Sequence, residues 1–333
     1  MKQFEMLLPG SVDEAAKSLP TDDSFEGRRK VKVYAGGQDL LGEMKEHLEE
    51  PDAVVNLKGI EGLDRIVPLG DGGLEVGALV TLRALEREPW IQERFPMLAE
   101  AAAAVGSPQI RAAGTVGGNL CQRPRCWYYR NEHTVCLKKG GDECFSFEGM
   151  NKYNAVLGGG PSYIVHPSDL APALISYDAE VTLAGPGGER TLSLDEFYML
   201  PSEGDVTKET RLAPNEILTR IRIPGGRQAW RSTYMKVRER GAFDFALSAV
   251  ALALRLEDGT VREARLTLGG VATKPWRCPR AEKLLVGKRI DDATCRAAGQ
   301  EAMRGAEPLD HNEYKIPMTQ GLLTKALRKL GNA

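Results

Sequence analysis

Residues 30–51 read KVKVYAGGQDLLGEMKEHLEEP. Valine and tyrosine dominate the opening, which reads as a buried strand running into Gly36 and Gly37. From Gln38 the stretch reads as a helix that stops before Pro51. A strand, two glycines and a helix in succession make an α/β unit. Lacking a β-carbon, the glycines of Ala35-Gly36-Gly37-Gln38-Asp39-Leu40 let backbone N–H groups approach a phosphate, and the start of a helix favours an anion there. Glycine turns with no ligand have the same pattern, so this stretch alone leaves a phosphate cradle and a plain turn both open.

On the N-terminal side, FEMLLP (residues 4–9) reads as a strand, and SVDEAAKSL as a helix capped by Ser11 with Glu14 three residues on. On the C-terminal side DAVVNL is another strand, so residues 1–55 form a small α/β unit. The pattern changes over residues 56–226. A hairpin is predicted at Asp71-Gly72-Gly73, with helices in LRALEREPWI and FPMLAEAAAAVGSPQIR. AGTVGGNL reads as a strand or turn, the strand 163–165 precedes a short helix, and a further hairpin follows. Pro224-Gly225-Gly226 marks a boundary. Residues 227–333 read as strands with a hairpin at Glu257-Asp258-Gly259, followed by amphipathic helices in CRAAGQEAMRGA and MTQGLLTKALRKL.

A chain of 333 residues with 42% hydrophobic content and a net charge of −2 has a large core and two or three domains. No basic tract argues for nucleic acid, and the longest apolar run, FALSAVALALRL, is too short to span a bilayer. MKQFEMLLPGS shows neither a signal core nor twin arginine. The expected location is cytoplasmic, or periplasmic by co-export with a signal-bearing partner.

A second glycine loop, Ala113-Gly114-Thr115-Val116-Gly117-Gly118-Asn119, repeats the logic of the first and adds hydroxyl and amide donors. Neither loop is a dinucleotide fingerprint of the G-x-G-x-x-G kind, and no P-loop is present. Directly after it, Cys121, Cys126, Cys136 and Cys144 fall in CQRPRCWYYRNEHTVCLKKGGDEC, a C-x4-C-x9-C-x7-C spacing. Four thiolates suit an iron–sulfur cluster or zinc; the spacing lacks the tight C-x2-C pairs of structural zinc but does not exclude it. His133 lies between Cys126 and Cys136 and is open to reading as a ligand, which the fourth cysteine makes unnecessary, as a group behind the ligands, or as a solvent-facing residue. Trp127, Tyr128 and Tyr129 shield the site, and Arg123, Arg125 and Arg130 offset its charge or lie on the surface. Cys278 and Cys295 stand apart as buried or idle thiols.

His166-Pro167-Ser168-Asp169-Leu170 offers either a carboxylate for ribose hydroxyls or a helix N-cap. Alternation sets Lys236, Arg238 and Arg240 on one strand face with Asp244 nearby, which either grips an anion or is an exposed charged strand. No GxSxG elbow and no HExxH pair occurs, so nothing supports nucleophilic catalysis.

YAGGQDLL, VGALVTL, AAGTVGGNL, HPSDLAPAL and YMKVRERGAFDFALSAVALAL occur in that order. With these motifs the whole chain resembles the FAD-binding medium subunit of the xanthine dehydrogenase and carbon monoxide dehydrogenase family of molybdenum hydroxylases. The resemblance implies an α+β fold. Its parts are a two-part FAD-binding domain like that of vanillyl-alcohol oxidase and a C-terminal α/β domain of the CO dehydrogenase flavoprotein type. It implies that Ala35, Gly36, Gly37, Gln38, Asp39, Leu40 and Leu41, with Gly114, Thr115, Gly117, Gly118 and Asn119, hold the FAD diphosphate. Gly77, Ala78 and Thr81 match a further flavin-contacting loop. Ser168 and Asp169 match the segment at the nucleotide end, and Lys236 a lysine at the flavin edge, with Asp244 a weaker match.

Most of the family lacks the cysteine insertion, here about residues 121–157. It resembles that of the β subunit of 4-hydroxybenzoyl-CoA reductase and of the FAD subunit of bacterial aldehyde oxidoreductases, where it holds a 4Fe–4S cluster. CQRPRCWYYR is nearest the aldehyde oxidoreductase branch. The resemblance thus implies Cys121, Cys126, Cys136 and Cys144 as ligands of a 4Fe–4S cluster. It also implies two partners, a large molybdenum–molybdopterin subunit and a small subunit with two 2Fe–2S clusters. Substrate is then oxidised on the large subunit, and electrons pass through the 2Fe–2S clusters to FAD and an external acceptor. Two rivals are a reductive component, as in 4-hydroxybenzoyl-CoA reductase, and a non-enzymatic assembly protein with a zinc knot.

Overall fold

The computed structural model describes residues 1–331. Its three sheets follow one another along the chain. The first holds β1 (Glu5–Leu7), β2 (Val31–Tyr34) and β3 (Ala53–Asn56), all parallel in the order β1-β3-β2. The helix Val12–Lys17 between β1 and β2 is capped as its sequence predicts, Ser11 Oγ accepting from the Glu14 amide. The helix after the glycine pair is shorter than predicted. It spans Leu40–Lys45, and His47, at φ 55°, turns the chain back well before Pro51.

The second sheet is antiparallel, in the order β4-β5-β8-β6-β7. It comprises β4 (Ile66–Pro68), β5 (Leu74–Gly77), β6 (Glu180–Gly185), β7 (Gly188–Ser193) and β8 (Ile217–Ile223). The β4–β5 hairpin turns at the predicted site: Gly72 has φ 82°, and the Asp71 carboxylate accepts from the Gly73 amide at 2.8 Å. Val76, Val181, Leu183 and Ile221 point inward, onto the helices Pro96–Ala103 and Leu170–Ser176. Two local expectations fail. Residues 116–120 of the second glycine loop form a short helix, capped by Thr115 Oγ1, rather than a strand or turn. Residues 163–165 form no strand, although the Tyr163 carbonyl accepts from the Ala155 amide at 2.9 Å.

The third sheet, in the order β12-β11-β10-β9, joins β9 (Arg231–Val237), β10 (Ser248–Glu257), β11 (Thr260–Gly269) and β12 (Trp276–Arg277). β10 is buried on both faces, which explains its unbroken apolar run. Ala249, Ala251 and Ala253 face the core shared with the second sheet. Val250, Leu252 and Leu254 face the helices Pro279–Leu285, Asp292–Ala302 and Lys315–Gly331. The mixed helix-and-sheet architecture agrees with the α+β reading.

Lys315 opens the last helix and is fully buried. Its ammonium donates to the carbonyls of Tyr153, at 2.9 Å, and Gly270, at 2.7 Å, and so pins the end of the cysteine insertion to the third sheet. Burial pushes its pKa from 10.5 down to about 7. Between these values the unfolded chain binds a proton that the folded one releases, so this residue makes stability rise as pH rises from about 7 to 10.5. Lys315→Met should flatten that rise relative to the unsubstituted chain in urea denaturation series across the same pH range.

Candidate functional site

A cleft of about 680 Å³ opens where the first glycine loop, the second glycine loop and the end of β9 meet. This size falls within the range of small-molecule and cofactor sites. Of the residues singled out in the sequence, Ala35, Gly36, Gly37, Gln38, Asp39 and Leu40 line it. So do Ala78, Gly114, Thr115, Gly117, Gly118, Asn119, Asp169 and Lys236. Leu41, Gly77, Thr81 and Ser168 do not reach it and act from behind. Leu41 belongs to the first turn of its helix, and Thr81 caps the helix Leu82–Arg87 by accepting from the Ala84 amide at 3.1 Å. Ser168 donates to Asn119 Oδ1 at 2.6 Å and accepts from the Ala171 amide at 3.0 Å. It therefore caps its helix and also fixes a cleft residue.

Three glycines are required by close approach. A β-carbon on Gly36 would lie 2.2 Å from the Ala113 carbonyl, one on Gly77 2.2 Å from the Leu63 carbonyl, and one on Gly117 2.8 Å from Ala78 Cβ. Gly37 adds a φ of 70°. The two loops thus rest directly on each other. Their amides differ in use. Gly117 donates to Ala78 O, Gly118 to Thr115 Oγ1 and Asn119 to Thr115 O, so the second loop spends its donors on its own shape. Among the described residues the amides of Gly36, Gly37, Gln38 and Asp39 have no protein acceptor. Four consecutive free N–H groups at a cleft wall suit the oxygens of a diphosphate.

Deeper in, Lys236 Nζ meets Asp169 Oδ2 at 2.7 Å and the Ala104 carbonyl at 3.1 Å, while Tyr234 donates to Asp169 Oδ1 at 2.6 Å. Burial raises the Asp169 pKa, against the pull of Lys236. β9 ends at Val237, so the predicted charged face extends no further than Lys236; Arg240 instead pairs with Asp244 in the following loop.

The cysteine segment is tied to the first glycine loop by charge. The Asp39 carboxylate accepts from the Arg123 amide at 2.6 Å, from Arg130 at 2.7 Å, and pairs with Arg125 at 2.8 Å. Asp39 is therefore occupied by protein. The Arg123 side chain pairs with Glu209 and donates to Tyr129 Oη at 2.9 Å, and Tyr129 donates to Glu43 Oε1 at 2.9 Å. Lys138 reaches Glu209 at 2.6 Å. Burial, then the Asp39 charge, pushes Glu43 up to about 7. Burial would push Glu209 the same way, but Arg123 and Lys138 outweigh it and hold the group below the usual carboxylate range. The arginines expected to offset thiolate charge thus serve this network instead.

No disulfide joins the cysteines. Cys126 packs with Cys136, Leu48 and Tyr129 in a small separate core. Burial first, and further down the charge of Cys144, raise the Cys126 thiol; burial, and less strongly the charge of Cys126, raise that of Cys136. Cys121 lines the cleft, packs against the central core and is raised to about 12 by burial alone. Among the described residues no three ligand-type side chains are gathered at metal-binding distance. Tyr129 is buried as expected of a shield, whereas Trp127 is exposed. His133 is exposed beside Glu132, and Cys278 and Cys295 are buried. Sequence reading missed the loop carrying Thr207, Lys208 and Glu209, which closes one side of the cleft; no motif in TKETRLAPNE marks it.

A family model described as FAD binding domain in molybdopterin dehydrogenase matches residues 2–226, and one described as CO dehydrogenase flavoprotein C-terminal domain matches residues 232–330. The aldehyde oxidoreductase FAD-binding subunit PaoB of Escherichia coli (strain K12) is 34% identical over 93% of this chain and 95% of its own length. The carbon monoxide dehydrogenase medium chain of Hydrogenophaga pseudoflava is 28% identical over 98% of this chain and 96% of its own. The solved Hydrogenophaga pseudoflava carbon monoxide dehydrogenase that lacks the Mo-pyranopterin moiety superposes with a TM-score of 0.76 at 27% identity, covering 98% of this chain and 97% of that one. CO dehydrogenase from Oligotropha carboxidovorans shares the fold, with a TM-score of 0.77 at 24% identity over 99% of this chain and 98% of that one. No helix among the described residues is long and apolar enough to cross a membrane.

Glu209→Ala should leave Arg123 and Lys138 buried without their anion and cost about 3–5 kcal/mol of stability. Denaturant titration reads the loss, and Glu209→Asp, which keeps the charge, should recover part of it.

Proposed function

Since the chain belongs to the FAD-binding medium subunits of the molybdenum hydroxylase family, we propose that it is the electron-transfer subunit of a heterotrimeric aldehyde oxidoreductase. It carries FAD and an iron–sulfur centre, and works with a large molybdenum–molybdopterin subunit and a small subunit bearing two 2Fe–2S clusters. Aldehyde oxidation belongs to the large partner. Electrons leave that partner through the 2Fe–2S clusters, reach this chain, and pass to an external acceptor. The likeness to PaoB over nearly the whole of both chains supports the aldehyde branch.

The observation that carries the flavin reading is the run of unpartnered amides at Gly36, Gly37, Gln38 and Asp39 on the wall of the cleft. FAD supplies exchange between one-electron and two-electron carriers when bound. In our reading the amides of the first loop hold its diphosphate, and the second loop fixes their position through the Gly36 contact. Lys236, neutralised by Asp169, sets a polar edge to the cleft without adding net charge. The cysteine insertion, about residues 121–157, carries the iron–sulfur centre. Its support is four clustered cysteines, none in a disulfide. The flavin domain divides at residue 55, and the C-terminal domain begins at residue 227.

The test is purification with the subunits that accompany the chain, followed by analysis of cofactors. FAD near one per chain after denaturation, together with iron and acid-labile sulfide beyond the four of each that two 2Fe–2S clusters contribute, is the expected result. Protein free of FAD would refute the flavin reading, and zinc in place of the extra iron would refute the cluster. Gly36→Val drives a side chain into the Ala113 carbonyl. It should lower FAD occupancy at least tenfold, measured as flavin absorbance per chain, with iron content per folded chain less affected.

A further inference from the structure

Resting on the reading that the cysteine segment binds an iron–sulfur centre, we infer that its thiolate ligands are Cys126, Cys136 and Cys144, and that Cys121 is not a ligand. The set of four does not fit the fold. Cys126 and Cys136 share one small core with Leu48 and Tyr129. The Leu137 amide donates to the Glu143 carbonyl at 2.8 Å, and Phe145 stacks on Tyr128 with ring centroids 6.1 Å apart, so the chain on either side of Cys144 is tied to the neighbours of both. Cys121 lies against the central core instead and takes no part in that cluster.

Local backbone polarity separates the same three from the fourth. Cys126, Cys136 and Cys144 each open a turn. Their carbonyls accept from Arg130 N at 2.9 Å, Lys139 N at 2.8 Å and Phe147 N at 2.9 Å. A side chain that opens a turn projects toward the amides of the residues that follow. Cys144 Sγ lies 3.1 Å from Ser146 Oγ, and Asn154 Nδ2 donates to Cys126 Sγ at 3.7 Å. Hydrogen bonds of this kind favour a thiolate and tune a cluster bound to it. Cys121 has the opposite setting. It closes the helix Val116–Leu120, donating its own N–H to Gly117 O at 3.0 Å, so the nearby unpaired groups are carbonyls. To join the others it would have to leave a helix whose Gly117 is locked against Ala78.

A centre with three thiolates keeps one iron position for a group other than cysteine. The measurement is iron per FAD in the purified complex, a ratio independent of how much protein folds. Cys121→Ala and Cys121→Val should keep the ratio of the unsubstituted complex. Cys126→Ala, Cys136→Ala and Cys144→Ala should each lower it to that expected from the 2Fe–2S clusters alone. An equal loss of iron in both Cys121 variants, with FAD retained, overturns the inference. If neither variant yields flavin-loaded complex, the unsubstituted complex decides: iron is removed with a chelator and the newly reactive thiols of this chain are mapped by alkylation and peptide mass spectrometry. Labels on Cys126, Cys136 and Cys144 alone support the three-thiolate set, and labelling of Cys121 in step with them overturns it. Absence of the extra iron from the unsubstituted complex refutes the cluster reading itself, a separate result.

Discussion

The Ala113 carbonyl lies 2.2 Å from where a β-carbon on residue 36 would sit, so two chain segments far apart in sequence touch through bare backbone. This contact fixes the distance between the parallel sheet of the first unit and the helices of the second. Because the second loop uses its amides on Ala78 and Thr115, it is a rigid abutment rather than a flexible turn. Held against it, the first loop keeps four amides free in fixed directions. A binding wall whose donors are already oriented loses little entropy when an anion arrives. The paired glycines of the first loop therefore serve two purposes, close approach at Gly36 and a left-handed φ at Gly37.

Around this contact the protein buries more charge than a stability argument would favour. Asp39, Glu43 and Glu209 face Arg123, Arg125, Arg130 and Lys138, and most of these side chains are shielded from solvent. Buried ion pairs gain little net energy over well-packed apolar groups, yet breaking one partner is costly. Their effect here is geometric. Asp39 has three donors from the cysteine segment, so the helix after the glycine pair and the insertion move as one body. Glu209 brings the loop at residues 205–210 onto the same body. The insertion is anchored again at its far end, where Lys315 holds the Tyr153 carbonyl and Asn312 the carbonyls of Asn154 and Ala155.

The order of strands and helices was largely legible because the apolar periods are clean: the hairpins at Asp71-Gly72-Gly73 and Asp258-Gly259 formed where turn chemistry demands them. The cleft was legible through its glycines. What sequence could not show is partnership. Asp39 reads equally well as a ligand for a cofactor or for three arginines 84 to 91 residues away, and only the fold selects the latter. The four cysteines look alike in a spacing formula. Their difference lies in whether each begins or ends a turn, and the helical nature of residues 116–120, with glycine at two of five positions, runs against intrinsic propensity. Thr115 as a cap, and packing against Ala78, override it.

β10 shows how the third unit completes the cleft. In its pairing with β9, Ala249 lies opposite Lys236 and Ala251 opposite Tyr234. Directly paired residues share a face of the sheet, so these long side chains project on the side where β10 presents only methyl groups. The small alanines leave room for Tyr234 and Lys236 to lie along the sheet and reach Asp169 together. Asp169 stands at the start of the helix Leu170–Ser176, part of the second unit. The carboxylate is thus held from the third sheet while its helix packs in the core beneath, and the polar edge of the cleft is set by an alternation of small and large residues on a strand that never touches the cleft itself.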